Sequence, residues 1–239
     1  MIKVDHLSKS LGGQKILDDI NFDINAGQIV AVMGPSGTGK TVLLKHLIGL
    51  MKPDNGRVLI DGVDISQLKE SELLDVRKTM GYLFQEGALY DFLNVMDNVS
   101  FPLKEHTNWP SVQIKERVKE VLEMVDLADV EQKFPSELSG GMKKRVGLAR
   151  AIVLGPKILL CDEPTSGLDP IRSRDISNLL KNVAKKINAT TVITSHDIEN
   201  SFRIADKVIL LNESHIEAIG TKDEMLSSKV PFVKEFVHT

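Results

Sequence analysis

The chain opens on apolar positions that recur at or near every second residue: Ile2, Val4 and Leu7, then, after a Gly12-Gly13 turn, Ile16-Leu17, Ile20, Phe22 and Ile24. That period predicts a β-rich opening. Ile29-Val30-Ala31-Val32-Met33 is an unbroken apolar run with β-branched residues, the pattern of a strand buried on both faces. Val42, Leu43, Leu44, Leu47, Ile48 and Leu50 then fit a helix, broken by Gly49 and Lys52-Pro53. Residues 57–60 read as a strand, residues 66–80 as a short charged helix, and residues 80–84 as a strand ending at Gln85. Between Gln85 and Leu138 the character changes. Ile114, Val118, Val121, Leu122 and Val125 mark one helix face, with Lys115, Glu116, Lys119, Glu120 and Glu123 on the other. Strand patterns return at residues 158–161, 190–195 and 207–211, with a helix around 172–187 between the first two. Strands alternating with helices predict an α/β protein whose parallel sheet is covered on both faces. An antiparallel β subdomain precedes it, and a helical subdomain is inserted at approximately 86–155. Residues 1–220 read as a single domain. Residues 221–239 read as a C-terminal tail that opens on the capping-box pattern Thr221-Lys222-Asp223-Glu224.

Composition narrows the classes. A net charge of −3 gives no electrostatic case for a nucleic-acid binder. The one cysteine, Cys161, falls in a predicted buried strand, which excludes an internal disulfide and fits a reducing compartment. Met1-Ile2-Lys3-Val4-Asp5 reads as a strand start rather than a signal peptide. No apolar run approaches the ~20 residues of a membrane-spanning helix, so a role at a membrane would need spanning partners.

Gly34-Pro35-Ser36-Gly37-Thr38-Gly39-Lys40-Thr41 fits the phosphate loop Gly-x-x-x-x-Gly-Lys-Ser/Thr at every specified position, between the predicted strand and helix that the motif requires. Glycines let the backbone wind around phosphates with N–H groups inward, and the new helix turns its positive dipole end to the anion. Lys40 is placed to reach the β- and γ-phosphates and the Thr41 hydroxyl to bind Mg²⁺. The chain is therefore expected to bind a nucleoside triphosphate.

Two further stretches carry chemistry. Asp162-Glu163 closes a buried apolar strand; one carboxylate there can hold Mg²⁺ through water and the next can orient or deprotonate a water attacking the γ-phosphate. Leu138-Ser139-Gly140-Gly141-Met142 precedes a helical pattern, with Ser139 as its cap, and forms a second anion-binding helix start. The adjacent Lys143-Lys144-Arg145 crowds the positive dipole end, which an incoming anion would offset; a solvated basic face is the other reading of these charges.

The phosphate loop, Gln85, the Leu-Ser-Gly-Gly run, the strand ending in Asp162-Glu163, Ser166-Gly167-Leu168-Asp169 and His196 occur in the order found in ATP-binding cassette (ABC) ATPases. Over residues 1–220 the chain resembles that family, which implies a P-loop NTPase core of ABC ATPase type. The resemblance further implies a head-to-tail homodimer closing on two ATP molecules, each held between one subunit's phosphate loop and the other's Leu138, Ser139, Gly140, Gly141 and Met142. In this likeness Glu163 resembles the general base, Thr41, Gln85 and Asp162 the Mg²⁺ shell, Gln85 the sensor and His196 the γ-phosphate contact. Asp169 resembles the link between the two sites. Where relatives stack adenine on an aromatic, this chain has Leu11, from which weaker or less base-selective nucleotide binding is expected.

The stretch from Phe84-Gln85-Glu86-Gly87-Ala88-Leu89-Tyr90 through Phe101-Pro102-Leu103-Lys104-Glu105-His106-Thr107 resembles the ATPase subunits of Mla-type phospholipid transporters. Those act at the cytoplasmic face of the bacterial inner membrane with a multispanning permease and an Mce-domain lipid-binding protein. Leu89, Phe92, Val95 and Val99 are expected on a loop-rich surface where a permease could dock. Phe232, Val233, Phe236 and Val237 either fold onto the chain's own core or, as in the Mla-type relatives, reach the other ATPase subunit. The chain is expected to lack the large regulatory domain of some sugar-importer ATPases. An importer ATPase for amino acids or ions is the main alternative. Chromosome-maintenance members of the family need long coiled coils or zinc hooks between these motifs, and translation factors carry two cassettes, so both fit poorly.

Overall fold

A computed structural model describes residues 1–238. In chain order the elements are β1 (Ile2–Leu11), β2 (Gln14–Ile24), β3 (Ile29–Met33), α1 (Lys40–Leu47), β4 (Asn55–Ile60), β5 (Val63–Asp64) and α2 (Glu70–Arg77). There follow β6 (Met80–Leu83), α3 (Val95–His106), α4 (Ser111–Met124), α5 (Gly140–Ile152), β7 (Ile158–Asp162) and α6 (Pro170–Lys186). The last are β8 (Thr190–Ser195), α7 (Ile198–Ile204), β9 (Lys207–Asn212), β10 (His215–Gly220), α8 (Lys222–Leu226) and α9 (Pro231–Val237). The chain divides into two units: Met1–Arg77 with everything from Thr190 onward, and Lys78–Ala189.

In the first unit an antiparallel sheet has the order β2-β1-β4-β5. Beside β3, β8 and β9 run parallel to it, and β10 pairs antiparallel with β9. All five residues of β3 and all six of β8 are buried, as their unbroken apolar or Thr-rich runs predict. The helix expected over 66–80 is shorter, Glu70–Arg77. Its first residues are taken by local bonding: the Ser66 N–H donates to Asp64 Oδ1 and the Val58 N–H donates to Ser66 Oγ, fastening this turn to β4 instead of a helix. The tail folds onto its own unit. Val233 is fully buried with Met33, Leu210 and Met225, and Phe232, Phe236 and Val237 pack against that cluster.

In the second unit β6 and β7 pair in parallel, and α3, α4 and α5 pack on one another, with Val99, Leu103, Val118, Val121, Val146 and Ala149 all buried. Residues 95–106 are a helix, not the expected loop-rich surface, although Pro102 lies inside it. Asn94 caps it, its side chain accepting from the Asp97 N–H. Val95 and Val99 face its core with no exposure, which removes them from any docking surface; Phe92 stays 78% exposed.

Candidate functional site

The first unit holds the phosphate loop and His196. β3 and β8 are in parallel register with Met33 opposite Ser195, so Gly34 and His196 leave the sheet at the same edge. Gly34 has φ +148°, and a Cβ there would lie 2.3 Å from the Leu211 carbonyl oxygen, so only glycine lets the chain turn off β3 here. Pro35, Ser36 and Gly37 are exposed at the loop's crest, and the Thr38 hydroxyl donates to the Pro35 carbonyl at 2.9 Å. Gly39, left-handed at φ 94°, starts α1 without a side-chain cap. The positive dipole end of α1 is thereby turned toward the loop, where it favours an anion. Lys40 is buried, and its Nζ donates to the Gly34 and Pro35 carbonyls at 2.9 Å each, folding the ammonium into the loop it would share with phosphates. Thr41 is exposed, as is His196, which lies between the end of β8 and the Asp197 cap of α7.

The β1–β2 hairpin packs on this loop: a Cβ on Gly39 would meet Ile16 Cγ2 at 3.0 Å. Leu11, the last residue of β1, is 40% exposed at the hairpin tip. Ile16 and Leu17 are therefore the apolar residues against the loop, each 3.0 Å from a Cβ placed on Gly39, and their place in the period-two pattern held no sign of it.

The second unit holds the remaining candidates. Leu83 stands opposite Cys161 in the β6–β7 register, so Gln85 and Glu163 lie just beyond the same edge. Asp162 is buried and accepts from the Tyr82 hydroxyl at 3.3 Å; burial, then the Asp162 charge, pushes the Tyr82 pKa up. Glu163 is half-buried with φ +42°, a left-handed backbone that costs a non-glycine residue of order 1–3 kcal/mol. Such strain is typical of residues held for function. Gln85 Nε2 donates to Ser166 Oγ at 3.0 Å. Asp169 caps α6, its side chain accepting from the Arg172 N–H. Leu138 is buried, whereas Ser139 and Gly140 are exposed, and Ser139 Oγ accepts from the Met142 N–H at 3.3 Å, the expected cap of α5. A Cβ on Gly140 or Gly141 would meet nothing within 4 Å.

The basic run after Met142 is neither an anion clamp nor a solvated face in its second and third members. Lys144 is buried with its Nζ 2.9 Å from the Gln85 carbonyl, and Arg145 Nη1 donates to the Val125 carbonyl at 2.7 Å. Among the described residues no cluster of three or more His, Cys, Asp or Glu forms a metal cage. The expected Mg²⁺ donors Thr41, Gln85 and Asp162 are hard oxygen groups that suit this ion, which ordinarily takes its remaining ligands from water and substrate phosphate. No helix among the described residues is long and apolar enough to cross a membrane.

These features define a nucleoside-triphosphate hydrolase built around a phosphate loop. The family described as "ABC transporter" matches residues 17–166, and the chain belongs to it. A probable ribonucleotide transport ATP-binding protein, Mkl of Mycobacterium leprae, is 45% identical over 99% of this chain and 68% of its own length. The intermembrane phospholipid transport system ATP-binding protein MlaF of Haemophilus influenzae is 42% identical over 99% of this chain and 90% of its own. Among solved structures, the ATP-binding cassette MJ0796, a dimer in a post-hydrolysis state bound to ADP and Pi, matches with TM-score 0.84. It is 32% identical, over 92% of this chain and 98% of that one. The chain is an ABC transporter ATPase subunit with the mixed α/β fold of that family, and it binds and hydrolyses ATP.

Proposed function

We propose that this ATPase drives phospholipid transport between the inner and outer membranes of a bacterium, as a homodimer on the cytoplasmic face of a multispanning permease that carries an Mce-domain lipid-binding protein. The observation that carries the lipid reading is the similarity to MlaF over nearly the full length of both chains. Residues 1–220 act as the motor domain, with residues 221–239 as its tail.

Within the motor, the first-turn N–H groups of α1 and Lys40 hold the β- and γ-phosphates. Glu163 is the general base toward the attacking water, Gln85 orients that water, and His196 contacts the γ-phosphate. Thr41, Gln85 and Asp162 hold Mg²⁺, which neutralises phosphate charge when bound. Residues 138–142 cover the ATP of the second subunit, and Asp169 links the two sites. Leu11 and Ile16 offer the base apolar contact only, so ATP and GTP are turned over with similar efficiency. Phe92, with the partly exposed Tyr90 ring tilted against it and Phe101 tilted against Tyr90, forms the permease-facing knob. Phe92→Asp uncouples ATPase from transport while the melting temperature stays within ~2 °C; transport at the original rate would remove that assignment.

Co-purification from native membranes in mild detergent tests the cargo. A multispanning permease, an Mce-domain protein and bound phospholipid are expected. The name of the mycobacterial relative favours a second reading, a nucleotide cargo; a permease accompanied by a solute-binding protein and no lipid would replace the first reading with an importer of a small polar solute.

A further inference from the structure

The face of α5 opposite its solvent side grips the loop that follows Gln85. Lys144 Nζ donates to the Gln85 carbonyl at 2.9 Å, and Arg150 Nη2 donates to the Gly87 carbonyl at 2.7 Å. The Arg150 guanidinium also lies 5.7 Å over the Tyr90 ring. Between them in sequence is Gly147, where a Cβ would come within 3.0 Å of Gly87 Cα, so helix and loop touch backbone to backbone. Positions 144, 147 and 150 recur every three residues, which puts them on one side of the helix. Asn98 fixes the far end of the same loop, accepting from the Tyr90 N–H and donating to the Tyr90 and Leu93 carbonyls.

The chain of contacts does not stop at the loop. With its carbonyl held by Lys144, Gln85 extends its amide to Ser166 Oγ at 3.0 Å, and the Ser166 N–H donates to the Glu163 carbonyl at 3.0 Å. A buried ammonium is costly where an apolar side chain of similar length would fill the same volume. Burial lowers the Lys144 pKa, and the carboxylates of Glu86 and Glu163 act against that. The cation is thus kept in a packed helix at the cost of desolvation, with its donor spent on the one carbonyl that belongs to Gln85.

We propose that Lys144 is a positioning residue for ATP hydrolysis: by clasping the Gln85 main chain to α5, it makes the helix that begins at Ser139 and the turn carrying Glu163 and Ser166 move as one body. This rests on the reading of Gln85 and Glu163 as hydrolytic residues.

The test is steady-state ATPase of the full chain with Lys144→Met, Lys144→Arg, Gln85→Ala and the Gln85→Ala/Lys144→Met pair, alongside thermal melting. Lys144→Met lowers kcat by ~10-fold or more with the KM for ATP within ~2-fold, since the phosphate loop is untouched. Lys144→Arg recovers most of the turnover, because a guanidinium N–H can donate to the same carbonyl. In the Gln85→Ala background Lys144→Met costs less than ~2-fold, since the amide it positions is gone. Equal losses in both backgrounds, or unchanged turnover in Lys144→Met, would overturn the proposal while leaving the site reading intact. So would a loss in which kcat tracks the melting temperature and arginine fails to rescue. Full turnover in Gln85→Ala would instead sink the site reading, and the proposal with it.

Discussion

Two helices in this protein begin at glycines whose N–H groups suit an anion, and they are built differently. The start of α1 is sunk into its unit. Gly34 is pressed against the Leu211 carbonyl, Gly39 against Ile16, and Lys40 is folded back onto the loop's own carbonyls. The start of α5 stands open, with Ser139 and Gly140 exposed and room for a side chain at both Gly140 and Gly141. The first is a cradle complete within one chain, with a backbone path set by packing. The second is open, with free space beside both of its glycines.

Substitutions separate the two. Gly34→Ala brings a methyl group onto the Leu211 carbonyl, and the whole loop must move. ATP affinity, read by titration calorimetry, falls by ~100-fold or more and the melting temperature drops by ~8 °C or more. Unchanged affinity would mean that the loop path is not set by packing. Gly141→Asp places a carboxylate where phosphate is expected but where nothing in the chain is disturbed. ATPase of the assembled transporter falls by ~10-fold or more, yet ATP binding to the isolated chain stays within ~2-fold and melting within ~2 °C. A large drop in melting temperature would show that α5 begins inside a packed region after all.

The smallest effect concerns the far end of α1. His46 is buried in α1, and burial holds its pKa below the ordinary 6.5, against the pull of the Val42 carbonyl that its Nδ1 meets. The unfolded chain therefore takes up a proton at a higher pH than the folded one, and stability declines as pH falls through about 6.5. His46→Leu flattens this decline, so the gap in melting temperature between pH 7.5 and 5.5 narrows by ~2–4 °C. An unaltered gap would place the pH response elsewhere.

The same contrast explains what the amino-acid pattern could reveal. β3, β8 and the phosphate loop are local statements: five or six consecutive apolar or β-branched residues, then glycines at set intervals, and each is found where the pattern puts it. The Ser139 cap is equally local. α3 was hidden because Pro102 ordinarily interrupts a helix, and the exposed Phe92 beside the buried Val95 and Val99 gives no clean period. The partners of Lys144 and Arg145 lie far off in sequence, on the Gln85 and Val125 carbonyls. Charge patterning sees only neighbours, so it offered an anion or water. Ile16 against Gly39 and Ser166 on Gln85 are likewise contacts that fold topology creates.

β3 carries the phosphate loop and is hydrogen-bonded on one side to β8 and on the other to β9. In chain order it precedes both of its neighbours, which begin at Thr190, and α9, which seats Val233 against Met33, follows them. The emerging chain must carry the run Ile29-Val30-Ala31-Val32-Met33 with both edges bare until residues past 189 are made, while Lys78–Ala189 is contiguous and can settle first. The nucleotide cradle is thus written before either of the strands that close its edges, and until they follow, β3 exposes two unpaired edges of the kind that favour aggregation.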